Sequence, residues 1–243
     1  MKEKVKFKVY AVAFLVGVTM ISCSDDDIES ITIEITEEEV ADIIAASLSE
    51  EDGGFASDID NLILDVEEEC GYTETYMLNE SETIGVRSFY VDYEMSLEVK
   101  CNQRDEFLEI AYAFISDRDA ELIRLDVTSF AEGNWSFKAN GPNYLMEGAY
   151  IYEGEEQFKV QDENTYNSTL SYASNNLTIN EDGDFLTGEL TIDYVANSTS
   201  GESRDEDGAL TIAEVNTGLL DVSSFEFLYE INLKTGEVEK IER

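Results

Sequence analysis

From Phe89 to Cys101 every odd position is apolar (Phe89, Val91, Tyr93, Met95, Leu97, Val99, Cys101), and the even ones are Tyr90, Asp92, Glu94, Ser96, Glu98 and Lys100. An unbroken period of two over 13 residues fits only an extended strand with one dry face and one wet face. Such a strand belongs to an antiparallel sheet whose second face is open to water. Further strands are expected at Tyr72–Leu78, Phe107–Ile115, Leu122–Phe130, Asn134–Lys138 and Tyr144–Tyr152. The series continues with Gln157–Gln161, Tyr166–Ala173, Asn176–Ile179, Phe185–Ala196, Leu210–Val215, Phe225–Leu233 and Glu237–Ile241. Turn chemistry separates them at Asn140-Gly141-Pro142-Asn143, Glu153-Gly154, Asp182-Gly183 and Lys234-Thr235-Gly236. The polar stretch Asn197–Asp207 reads as a loop, and Arg118–Ala120 is open to a short helix instead of a strand.

Helical periodicity is confined to the N-terminal side. Thr36 and Glu39 form a capping box, after which Val40, Ile43, Ile44 and Leu48 fall on one face and Gly53-Gly54 stops the run. Ile59, Leu62, Ile63 and Val66 form a second stripe, and Ile31–Ile35 alternates like a brief strand. Two short helices need a surface to cover. The expected class is therefore α+β, mostly β: two short N-terminal helices packed on a curled antiparallel meander, barrel-like or a sandwich, because some ten strands are too many for a flat sheet. With no linker or low-complexity stretch after it, 31–243 reads as a single β-rich domain.

The first residues have a different character. Lys2, Lys4, Lys6 and Lys8 precede an apolar run from Val9 to Ile21, which at about 13 residues is short for a membrane span. This is the build of a secretory signal. The run ends Met20-Ile21-Ser22-Cys23 and continues Ser24-Asp25-Asp26-Asp27. It resembles the lipobox of bacterial lipoproteins, and the acidic tract resembles the surface-export tether of Bacteroidetes-type outer-membrane lipoproteins. The order of features beyond it is similar to that of uncharacterised members of this group: an acidic tether, two helices, Cys70-Gly71-Tyr72, a Tyr-rich strand ending at Cys101-Asn102, then a Thr/Ser/Tyr-rich meander. The resemblance implies a signal peptide over 1–22, lipidation of Cys23, a tether over 23–30, and a lipid-anchored, surface-exposed protein of the outer membrane. It implies nothing catalytic. With Cys23 acylated, Cys70 and Cys101 remain as one pair in an oxidising compartment and are expected to form a disulfide.

Charge narrows the function. The chain carries 15 Lys+Arg, 55 Asp+Glu and no His. Loss of the leader removes four Lys and Glu3, leaving 11 basic against 54 acidic side chains, a net −43. Between Cys23 and Val86 there are 21 acids and no base. Such a surface repels phosphate backbones, so no nucleic-acid partner is expected, and self-repulsion favours a monomer. The absence of His excludes Ser-His-Asp and Cys-His catalysis and His-ligated zinc. The reading is a non-enzymatic binding or structural module with a protein or glycan partner and no cofactor.

Two alternatives are carried. Tyr90, Tyr112, Trp135, Tyr144, Tyr150 and Tyr152 are candidate surface aromatics for stacking on sugars, which with abundant carboxylates would suit a glycan-binding or carbohydrate-active protein. Ser203 to Gly208 followed by Glu214 partly follows a calcium-loop spacing, making Asp205, Asp207 and Glu214 candidate ligands of a calcium-stabilised adhesion module.

Overall fold

A computed structural model describes residues 35–63, 70–104, 107–159 and 165–243. The expected leader, Cys23, the tether and the brief strand at 31–34 lie outside them. Among the described residues strand accounts for 67%, accompanied by two short helices. Helices α1 (Glu37–Leu48) and α2 (Phe55–Ile63) come first. Eleven strands follow: β1 (Thr73–Ile84), β2 (Arg87–Cys101), β3 (Phe107–Glu121), β4 (Leu125–Asn140), β5 (Asn143–Phe158), β6 (Thr165–Ile179), β7 (Phe185–Ser198), β8 (Ser203–Glu214), β9 (Thr217–Val222), β10 (Leu228–Asn232) and β11 (Val238–Ile241). They form one antiparallel sheet in sequence order, a pure meander and not the two stacked sheets of a sandwich.

The alternation in β2 does what its period demands: Phe89, Val91, Tyr93, Met95, Leu97 and Val99 are buried. Register carries that face across the sheet. Arg118 of β3 pairs with Ser129 of β4, Ser129 with Gly154 of β5, Gly154 with Ser168 of β6, Ser168 with Ala196 of β7, and Ala196 with Arg204 of β8, one rung of the inner wall. The outer face carries carboxylates on the same strands, among them Glu94, Glu132, Asp193 and Asp207, and so faces water.

The sheet curls around the helices. α1 is buried on all sides from Glu39 to Leu48, more than a one-sided stripe requires. Its capping box forms as expected: Thr36 N–H donates to Glu39 Oε2 at 2.8 Å and Glu39 N–H to Thr36 Oγ1 at 3.2 Å. From α2, Phe55 meets the rings of Trp135 (β4), Tyr150 (β5) and Phe185 (β7) at 5.0–5.8 Å. Ser57 donates to Glu80 on β1, while Glu37 accepts from the backbone N–H groups of Glu226 and Phe227 between β9 and β10. Contacts at both ends of the sheet and across its middle mean that the helices fill its concave side.

Several expected boundaries move. Glu153-Gly154 is not a turn: β5 runs through it, because a bare Gly154 leaves room for the Tyr152 and Glu156 side chains to meet above it. A Cβ there would lie 2.1 Å from Glu156 Oε1 and 2.5 Å from the Tyr152 hydroxyl. The paired segments on either side of 131–133 and 174–175 likewise merge into β4 and β6, and Arg118–Ala120 belongs to β3. The loop expected over Asn197–Asp207 shrinks to a turn at 199–202 between β7 and β8. The turns at 140–143, 182–183 and 234–236 stand where expected.

Candidate functional site

Cys70 and Cys101 are joined, with Cα atoms 5.5 Å apart and 31 residues of separation. The bridge ties the start of β1 to the end of β2, where the backbone N–H of Gly71 also donates to Val99 O at 3.0 Å. In the chain-entropy account a loop of this length contributes about 3.5 kcal/mol.

The other proposed site residues scatter. Asp205 and Asp207 stand on the outer face of β8, and Glu214 at its far end. An extended strand holds Asp205 and Glu214 on the order of 30 Å apart, beyond a single ligand sphere. The calcium-loop arrangement is not formed because β8 pairs with both β7 and β9. Four of the six supposed surface aromatics (Tyr112, Trp135, Tyr150 and Tyr152) are core residues, since register aims them inward. Tyr144 is half-buried and Tyr90 is exposed. Of the six, Tyr90 and in part Tyr144 are accessible for stacking on a sugar.

Two features missed by the sequence reading lie where helices and sheet meet. The first is an internal polar centre. Glu156, fully buried, accepts at Oε1 from Ser168 Oγ (2.6 Å) and Tyr152 OH (2.9 Å). Arg118 reaches in from β3, donates from Nη1 to the carbonyl of Ala46 near the end of α1 at 3.0 Å, and lies 5.7 Å from the Tyr152 ring centroid. Tyr166 donates to Glu39 Oε1 at 3.1 Å, so one glutamate serves both the helix cap and the sheet. Ser47, which donates to Ile44 O at 2.8 Å, bonds to the Tyr172 hydroxyl. Burial pushes Glu156 up to about 7, against the lowering effect of Ser168, Tyr152 and Arg118. Burial likewise pushes Asp58 of α2 up to about 8. These groups are buried and lock the helices into the sheet.

The second feature is a cleft of about 590 Å³ at the seam where the two ends of the sheet approach each other. Its floor is α1, through Asp42 and Ala46. One wall is the β3–β4 turn from Leu122 to Leu125, and the other is the β10–β11 hairpin with Glu230, Asn232, Glu237 and Glu239. The α1–α2 loop holds the seam. Backbone N–H groups of Glu50 and Glu51 donate to Leu233 O and Lys234 O, each at 2.8 Å. Arg87, at the start of β2, pairs with Asp52 at 3.4 Å and donates to the Thr235 carbonyl in the β10–β11 turn. Gly236 permits this approach: its φ is +69°, and a Cβ would lie 2.1 Å from Asp52 Oδ2.

Electrostatically the walls differ. Arg124 is held by Glu38 and Asp42, each at 2.9 Å, and Arg87 by Asp52 and Glu51, so both cations are already compensated. Burial raises the Asp42 carboxyl to about 7, with Arg124 pulling it back. On the opposite wall Glu230 and Glu239 are direct cross-strand partners, and among the described residues no ion pair engages either of them or Glu237. No family model, curated protein or solved structure matches this chain.

Proposed function

We propose that this protein is a lipid-anchored component of the bacterial outer membrane, held at the cell surface through Cys23, and acts there as a non-enzymatic binding module. The observation that carries the reading is the sequence leader: a basic head, a short apolar run and Met20-Ile21-Ser22-Cys23, followed at once by an acidic tract. The Cys70–Cys101 disulfide supports it, because such bonds persist in oxidising compartments. The water-facing carboxylates of the outer sheet face fit a domain that stands off the membrane on a tether and does not insert into it. The interior is occupied by α1 and α2, so binding falls to the outside of the fold, where the seam cleft has the volume of a small-ligand site.

The test is metabolic labelling with a palmitate analogue in a lipoprotein-exporting bacterium. Wild-type protein is expected to take up label and to partition with the outer membrane. Globomycin should leave the leader uncleaved, and Cys23→Ala should abolish both labelling and membrane retention. Continued labelling of Cys23→Ala would overturn the reading.

A further inference from the structure

We propose that the free edge of β1 takes up an extended, Lys- or Arg-bearing segment of a partner protein as an added strand. The inference rests on the binding-module reading and gives it a surface and a partner class. β1 is the first strand of an open sheet and pairs with β2 alone, through all 12 of its residues from Thr73↔Glu98 to Ile84↔Arg87. The strand at the other end of the sheet, β11, has 4 residues. At about 3.4 Å per residue, β1 offers an edge of about 41 Å and β11 one of about 14 Å, so β11 cannot cover it. Among the described residues no strand lies on that side of β1, and Met77 is 79% and Leu78 37% exposed.

The ladder fixes which backbone groups are on offer. Val99 N–H donates to Tyr72 O at 2.9 Å, and the β1–β2 register runs unbroken from Thr73 to Ile84. In an antiparallel pair, hydrogen-bonded partners alternate with non-bonded ones. The even-numbered residues of β1 therefore hold β2, and the N–H and C=O groups of Thr73, Thr75, Met77, Asn79, Ser81 and Thr83 point away from it. An added strand engages backbone groups of this kind. Charge selects the occupant. β1 contains Glu74, Glu80 and Glu82 and no Lys or Arg, and Asp92 and Glu94 of β2 stand opposite Asn79 and Met77. A second copy would bring the same acidic edge and the same large negative charge, and residues 23–34 of this chain are acidic and without a base. Both are repelled. A cationic strand alternating with apolar residues instead meets these carboxylates with opposite charge, and Met77 and Leu78 with apolar surface.

The full chain, purified in nonionic detergent, is titrated with a fluorescent strand-length peptide alternating Lys and Val, followed by anisotropy and by amide hydrogen exchange. Saturable binding near one equivalent is expected. Exchange of the Thr75, Met77, Asn79 and Ser81 amides should slow about tenfold or more, while the even-numbered amides, already in the ladder, change little. Asn79→Pro removes one outward N–H without touching the ladder to β2, at a position where an edge strand accepts proline, and should weaken binding about fivefold or more. Glu74→Gln/Glu82→Gln should weaken it as well. Asp193→Asn/Asp207→Asn makes the same change in net charge on the outer face of distant strands and should leave binding unaltered. Equal weakening by both carboxylate double variants would mean attraction to the whole acidic surface and would overturn the proposal. So would an undetectable signal, or equal binding of the same peptide N-methylated at every residue, which keeps the charge but has no backbone donor. Odd-numbered amides already protected in the free protein would also overturn it, by placing a second copy or another segment of this chain on the edge. None of these measurements depends on Cys23 labelling, so the two readings fail separately.

Discussion

Glu156 offers the sharpest test of how the interior is built. It is fully buried, its Oε1 accepts two hydroxyl hydrogen bonds, and burial raises it to about 7 from an ordinary value of 4.5. A carboxyl raised in the folded state binds its proton more tightly there than in the unfolded chain. Its stabilising contribution is therefore complete below about pH 4.5 and is lost as pH rises through about 7. At roughly 1.4 kcal/mol per pH unit, the loss between those limits is on the order of 3 kcal/mol. Glu156→Gln keeps the size of the side chain and an acceptor oxygen for Ser168 and Tyr152, but it cannot ionise. The variant should match wild type near pH 4.5 and exceed it at pH 8 by about 3 kcal/mol, some 6–12 °C in Tm for a domain of this size. Urea unfolding of both proteins from pH 4 to 8.5 at fixed ionic strength isolates this residue, because every other titrating group cancels in the difference. A flat difference, or a wild type more stable than the variant at pH 8, would refute the argument. Either would mean that Arg118 already holds Glu156 ionised.

Three further outcomes follow from the same contacts. Gly236→Ala should cost more than 1 kcal/mol, because it combines a left-handed backbone with a clash against Asp52, and should speed proteolysis of the β10–β11 hairpin. Replacing both Cys70 and Cys101 by Ser should lower unfolding stability by about 3.5 kcal/mol, whereas a reductant should affect only the wild type. Thr36→Ala removes the acceptor for Glu39 N–H and should cost about 1 kcal/mol in urea unfolding, with α1 more open to hydrogen exchange.

The sequence was most readable where one physical constraint acts alone. The 13-residue alternation identifies β2 and its buried face because nothing competes with the pleat. Reading failed where a local signal had a distant cause. Gly154 carries a turn signature, yet its small size serves Tyr152 and Glu156 on the same strand, a contact visible only once the face of β5 is known. The Asn197–Asp207 stretch looked like a loop because β8 opens without inward apolar residues. Its inner positions are Arg204 and Glu206, ion-paired at 3.1 Å, with Arg204 5.8 Å from the Phe225 ring centroid. In α1 the residues that break the amphipathic pattern, Glu39 and Ser47, find their partners on β6, more than 120 residues away. The cleft was beyond pattern reading for the same reason: its floor and walls come from three segments far apart in the chain.

The acidity of the chain separates into two problems with different solutions. On the outer face Asp92 opposes Asp117 and Asp193 opposes Asp207, but these pairs stand on a convex surface. There, water and salt at a Debye length of about 8–10 Å limit the repulsion. At the seam Glu230 opposes Glu239 on the neighbouring strands of one hairpin, in the wall of a concavity, where the field is focused. Simple salt should therefore stabilise the fold through the outer pairs with little preference among monovalent cations.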